Sequence, residues 1–171
     1  MAREFAVIDV ETTGFSFRND RVVEVACLRL DAHFRPVAQF ESLVDPERAI
    51  PAHATRIHGI VDRDVAGAPT LQQLTPWLRA LTSGTTLVAH NAPFDRGFLA
   101  FLGERDWLCT VRLARRAFPG APSYRNQDLR AYLRLDDEPR FAGLGAHRAF
   151  ADVTVTAEVL RRSMQRIREA A

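Results

Sequence analysis

An apolar run near the start of the chain carries two carboxylates where apolar side chains belong. Residues 5–14 read Phe-Ala-Val-Ile-Asp-Val-Glu-Thr-Thr-Gly, and roughly residues 4–11 predict a buried strand. Asp9 and Glu11 are two residues apart, so a strand presents both on one face. At about 5 Å and an effective dielectric near 20, their repulsion would be roughly 3 kcal/mol. A divalent cation is the partner that best offsets this repulsion.

Composition bounds the class of protein. The 171 residues, 47% of them hydrophobic, predict one globular domain over residues 1–171. A net charge of +2 excludes a strongly basic field, although all 23 basic residues are arginine, which suits phosphate oxygens. Cys27 and Cys109 lie in apolar runs and predict reduced thiols in a cytoplasmic protein. A targeting signal or a membrane-spanning run of roughly 20 apolar residues is not predicted.

The order of predicted elements indicates an α/β fold, because strands come first and then alternate with helices. The predicted elements begin with the first strand, strands over 21–30 and 34–44, and a short helix near Ala54. A helix from Leu71 follows. Further predictions are a strand over 85–90, a helix over 93–102, a strand over 108–111, helices over 111–118 and 126–133, a loop over 136–145, and a helix from about 148 to the C-terminus. This order predicts a mixed five-stranded sheet flanked by helices.

Two further carboxylates interrupt apolar helical stripes. Asp95 shares a stripe with Phe98, Leu99 and Leu102, and Asp152 shares one with apolar residues of the last helix. Each lies near a helix start, where the macrodipole favours an anion. A helix cap or an ion pair, with Arg96 or Arg148 as the partner, is the alternative for either residue taken alone. Glu24 and Asp128 are assigned structural roles.

His147 precedes the last helix and follows a glycine-containing loop. Five helical residues turn through about 500°, so His147 and Asp152 would not share a helix face. We therefore predict that His147 belongs to the loop, where a histidine, whose unperturbed pKa is near neutral, can deprotonate water beside a metal cluster. A solvated loop histidine is the alternative.

These motifs together resemble the DEDD-type 3′→5′ exonucleases, in the variant with a catalytic histidine. The first motif is Asp9-Val10-Glu11-Thr12-Thr13-Gly14, the second spans His90 to Asp95, and the third spans His147 to Asp152. Between the first two lie His58-Gly59-Ile60-Val61-Asp62 and Ala68-Pro69-Thr70, which are also typical of the family. The resemblance covers roughly residues 5–162, and four motifs in order are more specific than any one of them.

The resemblance implies a ribonuclease H-like fold and two-metal phosphodiester hydrolysis with Mg²⁺ or Mn²⁺. It implies that Asp9 bridges both ions, that Glu11 and Asp152 hold the first, and that Asp95 acts directly or through water. His147 would take the proton of the attacking water.

Within the family, the Thr12-Thr13 version and the segment from His58 to Ile60 are most similar to proofreading subunits of bacterial replicative DNA polymerases. The expected substrate is the 3′ end of single-stranded or frayed DNA, and a DNA polymerase subunit is a candidate partner. An exoribonuclease and an inactive nucleic-acid-binding relative are the alternatives. The chain end, Glu169-Ala170-Ala171, lacks the expected polymerase-binding tail, which leaves a stand-alone enzyme open.

The same resemblance predicts the residues that surround the terminal nucleotide. Thr12 would face the terminal sugar, and Ile57 and His58 would approach from the connecting segment. Ile57 and Phe94 would sandwich the base without reading its edge. Ordinary core packing is the alternative for Ile57 and Phe94.

Overall fold

A five-stranded mixed sheet forms the centre of the molecule. The computed structural model describes residues 3–103 and 107–170. The strands are β1 (Phe5–Thr12), β2 (Val22–Leu30), β3 (Pro36–Leu43), β4 (Thr86–Ala89) and β5 (Trp107–Cys109), in the spatial order β3-β2-β1-β4-β5. β1, β2 and β3 form an antiparallel meander, whereas β4 runs parallel to both β1 and β5. The predicted mixed sheet is confirmed.

Helices cover both faces of this sheet. They are α1 (Ala52–His58), α2 (Asp62–Val65), α3 (Leu71–Thr82), α4 (Ala92–Phe98), α5 (Thr110–Ala117), α6 (Asn126–Tyr132) and α7 (Ala149–Glu169). Three short 3₁₀ turns occupy residues 100–102, 135–137 and 139–141. Within the described residues, no helix is long and apolar enough to cross a membrane.

Alternation along β1 separates two cores. Ala6, Ile8 and Val10 pack on one face with Leu74 and Leu78 of α3. The opposite row continues from Phe5 and Val7, which pack against α7, to Asp9 and Glu11. The two carboxylates therefore extend an apolar row towards the end of β1, on the face that α7 covers.

A third apolar cluster fixes α7 against the helices that precede it. Its fully buried members include Ala114 of α5, Leu129 of α6, and Val155 and Val159 of α7. Phe141, from the 3₁₀ turn before α7, is also fully buried there. This packing anchors both the start of α7 and the loop that leads to it.

Some predicted boundaries are wrong. The helix predicted over 93–102 ends at Phe98, because Leu99 leaves helical geometry and a 3₁₀ turn continues to Gly103 at φ 93°. The strand predicted over 108–111 ends at Cys109, since Thr110 begins α5 and its hydroxyl contacts His90 and the carbonyl of Ala89. The loop predicted over 136–145 contains 3₁₀ turns. The predicted extension of the last helix to Ala171 lies outside the described residues.

Candidate active site

The end of β1 brings Asp9 and Glu11 onto the α7 face of the sheet. Asp9 pairs with Ala26 and Glu11 with Glu24 in the antiparallel register, and a β-bulge follows between Glu11 and Thr12. The carboxylates of Asp9, Glu11 and Asp152 each offer an oxygen atom within 4.8 Å of the others. Two neighbouring carboxylates of β1 and a third from the far end of the chain thus form one compact group of oxygen atoms.

Asp152 reaches this group from the first turn of α7. Its side chain is buried, and its Oδ1 accepts a hydrogen bond of 2.5 Å from the Gln127 amide of α6. The neighbouring Asn126 amide donates to the Thr156 hydroxyl at 2.8 Å and to the Asp152 carbonyl at 3.3 Å. α6 therefore holds the start of α7, and with it Asp152, in a fixed orientation.

Glu24 of β2 positions α7 from the other side. It accepts hydrogen bonds from the Arg148 guanidinium at 2.6 and 3.0 Å and from the Ala149 amide at 2.9 Å. The alternative in which Arg148 pairs with Asp152 is wrong, because Arg148 binds Glu24 instead. Sequence reasoning missed Gln127, which carries no motif signal, and the partner of Glu24.

Asp95 completes the acidic group from α4. Only 2% of its surface is exposed, and its Oδ1 has no hydrogen-bond partner within the described residues. Burial raises its pKa well above the usual value, although the backbone amides of Asp95 and Val10 oppose the shift. A buried carboxylate oxygen without a partner fits a site that is completed by a cation or its bound water.

The other carboxyls are shifted in the same direction. Burial, and then the charges of Asp95 and Asp152, raise the pKa of Asp9 well above its usual range. Burial and Asp152 raise the pKa of Glu11 to about 8. Burial raises that of Asp152 to about 6, against the opposing effects of His147 and Gln127. Without a cation these groups compete for protons, and the all-oxygen donor set suits Mg²⁺ or Mn²⁺.

His147 lies on the loop before α7, as predicted, and its side chain is exposed. Its backbone is in the left-handed region at φ 56°, and its charge lowers the pKa of Asp152. The buried Arg130 guanidinium pins the preceding loop by donating to the carbonyls of Leu144 at 2.9 Å and Phe141 at 3.2 Å. The histidine therefore sits on an anchored loop beside the acidic group.

A cavity of about 160 Å³ opens beside Glu11. Thr12, Ile57, His58 and Phe94 all contribute to its lining. Ile57 is 46% exposed, whereas Phe94 is partly buried between Phe98, at 5.1 Å between ring centroids, and Phe15, at 6.4 Å. Phe15 is a further lining residue, 78% exposed, that sequence reasoning did not single out. The structure thus places the four predicted nucleotide-binding residues around one cavity.

His58 is buried in the wall of this cavity. Its Nδ1 accepts a hydrogen bond from the Ile60 amide at 3.0 Å, and its Nε2 has no partner within the described residues. Burial lowers the pKa of the imidazole, which favours the neutral ring. A neutral ring with Nδ1 as acceptor carries its proton on Nε2, and the neighbouring backbone of Thr12 opposes the lowering of the pKa.

Comparison with known proteins agrees with this geometry. The RNase T family model, described as exonuclease, matches residues 6–160. The chain belongs to this exonuclease family. The resemblance predicted from the motifs and the ribonuclease H-like fold are both confirmed.

This exonuclease has relatives among proteins of DNA replication. It is 33% identical over 97% of its length to the PolC-type DNA polymerase III of Clostridium perfringens, and spans only 12% of that relative. It is 32% identical to DNA polymerase III subunit epsilon of Treponema pallidum, with 91% of this chain and 74% of the relative covered. The structure of exonuclease X in complex with 5′ overhanging duplex DNA matches with a TM-score of 0.78 and 34% identity, over 94% of this chain and 91% of that chain.

Proposed function

We propose that this exonuclease is a two-metal enzyme that degrades single-stranded or frayed DNA from the 3′ end and releases nucleoside 5′-monophosphates. The observation that carries the proposal is the convergence of Asp9, Glu11 and Asp152 within 4.8 Å, next to the unpartnered Oδ1 of Asp95. Carboxylates from a strand and two helices meet at one point, where they repel each other unless cations are bound.

Each carboxylate has a role in holding the metal ions. Asp9 would bridge two ions, Glu11 and Asp152 would hold the first, and Asp95 would act directly or through water. When bound, Mg²⁺ or Mn²⁺ supplies an acidified water and charge stabilisation for the leaving 3′ oxygen. Gln127 and Glu24 keep Asp152 oriented, and outer partners of this kind commonly tune metal affinity.

His147 would accept the proton of the attacking water. Its exposure and its position beside Asp152 support this role, since an accessible imidazole beside the acidic group can reach a water held there. The anchoring of its loop by Arg130 restricts where the ring can go, which is what a general base requires.

The cavity beside Glu11 would receive the terminal nucleotide, and we refer to it as the terminal-nucleotide cavity. Ile57 and Phe94 offer apolar surfaces for the two faces of a base, and this contact does not depend on which base is present. Thr12 and the Nε2 of His58 provide polar groups for the sugar and its hydroxyl. A base sandwiched in this way must first separate from the complementary base of a duplex, which supports a preference for unpaired ends.

The relatives named as DNA polymerase III subunits support a role in proofreading or repair, with a polymerase as protein partner. A direct test is co-purification of the full chain with the replicative polymerase subunit of its own source. Absence of any complex would leave an enzyme that acts alone.

The activity test uses 5′-labelled DNA and RNA oligonucleotides of matched sequence. We expect stepwise shortening from the 3′ end, abolished by chelator and restored by Mg²⁺ or Mn²⁺, with nucleoside 5′-monophosphates as products.

Asp9→Asn should lose orders of magnitude in rate, whereas Asp137→Asn, at an exposed carboxylate that pairs with Arg134, should keep full activity. Near-normal turnover by folded Asp9→Asn would falsify the two-metal assignment. Faster cleavage of RNA than of DNA would identify an exoribonuclease.

A further inference from the structure

A second concavity lies between α4 and α5, and its chemistry differs from that of the terminal-nucleotide cavity. This α4–α5 groove has a volume of about 720 Å³ and is lined by Phe17, Asn91, Arg96, Trp107, Arg112 and Arg115, among other residues. All three arginines are exposed, and no acidic residue contributes to the described part of the lining. In a protein whose net charge is only +2, this is a local concentration of positive charge.

The groove and the terminal-nucleotide cavity share a wall. Asn91 and Pro93 line the groove, while Phe94, the next residue, lines the cavity and Asp95 joins the acidic group. The loop after β1 divides in the same way, since Phe15 faces the cavity and Phe17 faces the groove. A polymer that enters the cavity at its end can therefore continue over this wall into the groove.

Phe17 is held as an exposed aromatic surface. A side chain at position 97 would meet the Phe17 ring at 2.8 Å, so Gly97 is what allows the ring to lie on α4. The ring remains 56% exposed, with the Arg18 guanidinium 5.9 Å from its centroid. An exposed ring beside guanidinium groups combines base stacking with phosphate binding.

We infer that the α4–α5 groove binds the degraded strand upstream of its terminal nucleotides, through phosphate contacts from its arginines. The inference rests on the proposed exonuclease function and adds to it a second binding region on the same strand. Arginine binds phosphate oxygens well because its planar fork presents several donors. The aromatic rings of Phe17 and Trp107 would support the intervening bases without sequence preference.

Arg112 provides the sharpest test. It makes no hydrogen bond or ion pair with any residue in the described part of the chain, so its removal should not disturb packing. Arg115, in contrast, lies over the Tyr124 ring at 5.6 Å, and the Tyr124 carbonyl accepts a hydrogen bond of 2.8 Å from Nε2 of His90. Arg116 of the same helix is the matched control, because it is exposed but lines a different concavity, with Arg166.

The experiment compares a substrate too short to reach the groove with longer ones. The short substrate is the p-nitrophenyl ester of thymidine 5′-monophosphate, and the longer ones are single-stranded thymidine oligomers of increasing length. We expect KM of the unmodified enzyme to fall as the strand lengthens. For Arg112→Ala, KM on the longest oligomer should be about tenfold higher than for the unmodified enzyme, while kcat/KM on the ester is unchanged. Arg116→Ala should behave as the unmodified enzyme on both kinds of substrate.

A binding measurement gives a second readout that does not require turnover. In the Asp9→Asn background, the affinity for a fluorescent single strand is measured against salt concentration. Each lost phosphate contact should reduce the slope of log affinity against log salt by about 0.7. The inference would be overturned if Arg112→Ala showed the same fall of KM with strand length and the same salt slope as the unmodified enzyme. A loss of affinity confined to duplex substrates would also overturn it, because the groove would then bind the other strand. If the unmodified enzyme cleaves neither ester nor oligomer, the proposed function itself fails.

Discussion

Glu24 lies directly across the antiparallel ladder from Glu11, yet its carboxylate binds Arg148 and the amide of Ala149 instead of joining the acidic group. One pair of facing positions thus contributes a carboxylate of the acidic group from β1 and a helix anchor from β2. Because Ala149 begins α7 and Asp152 lies in its first turn, the anchor fixes where Asp152 meets Asp9.

Replacing Glu24 should therefore destabilise the start of α7. Glu24→Ala removes a cap and a charged pair, and we expect the free energy of unfolding to fall by about 1–3 kcal/mol. Arg148→Ala keeps the cap, and since the Arg148 side chain is half exposed, its loss should cost at most about 1 kcal/mol. Chemical denaturation measures both. Equal losses in the two variants would contradict the capping role.

The acidic group should make the metal-free protein less stable as pH rises. The pKa of Glu11 is raised to about 8 and that of Asp152 to about 6, whereas the unfolded chain titrates near 4. Between these values the folded state binds more protons than the unfolded state. The free energy of unfolding is then highest at the acidic end of this window and falls until the pH passes the folded pKa values.

Thermal melting between pH 5 and 9 in chelator tests this dependence. Glu11→Gln should flatten the fall in melting temperature between pH 6 and 8, and Glu169→Gln, at an exposed carboxylate, should leave it unchanged. Mg²⁺ should raise the melting temperature more at pH 8 than at pH 6, because it competes with protons for the same oxygens. A metal-free profile that is flat in this window would contradict the shifts.

Gln127 is predicted to tune metal binding through Asp152. Gln127→Ala removes a hydrogen bond that lowers the pKa of this carboxyl, so protons should compete more strongly with the metal. We expect the Mg²⁺ concentration for half-maximal rate to rise about 10–100-fold. The control is Gln72→Ala, on the exposed face of α3. An unchanged Mg²⁺ requirement would reduce Gln127 to a packing residue.

The sequence predicts the members of the acidic group better than it predicts the residues that hold them in place. Asp9, Glu11, Asp95 and Asp152 interrupt local apolar periodicity, and such an interruption is visible in a single stretch of chain. Gln127 and Glu24 act through contacts 25 and 124 residues away, which no periodic pattern encodes. For the same reason the groove was not predicted, since Phe17 meets Gly97 only after folding.

The boundaries of the elements show a similar limit. The long strands and α7 follow from sustained periodicity, and the structure confirms them. α4 ends early although its apolar spacing continues through Leu102, because Leu99 leaves helical geometry while Leu102 is still buried by a 3₁₀ turn. Apolar spacing reports which side chains are buried, and two kinds of turn can bury the same side chain.

His147 should matter for the rate and little for the metal. His147→Ala is expected to cost about 10²–10⁴-fold in rate if this residue is the general base. The acidic limb of the pH–rate profile should weaken or disappear, while the Mg²⁺-induced rise in melting temperature persists. His33→Ala, at another exposed loop histidine, should keep full rate. Loss of Mg²⁺ binding in His147→Ala would instead make His147 a ligand or a structural residue.

Phe94 should contribute to substrate affinity as well as to packing. Its ring lines the terminal-nucleotide cavity and also packs on Phe98 and the core below it. Phe94→Ala should raise KM for single-stranded DNA, because roughly 1–3 kcal/mol of stacking free energy is lost. Because the ring is only partly buried, the loss of stability should stay below the roughly 3–5 kcal/mol of a fully buried phenylalanine.

Two neighbours separate binding from packing at this position. Phe98→Ala, which removes a ring that packs on Phe94 but does not line the cavity, should reduce stability and leave KM nearly unchanged. Ile57→Ala, at a 46% exposed side chain in the cavity wall, should raise KM with little loss of stability. Thermal melting and initial rates on the same single strand measure both quantities. If Phe94→Ala matches Phe98→Ala and Ile57→Ala has no effect on KM, the base is not sandwiched between positions 57 and 94, and both residues serve only the fold.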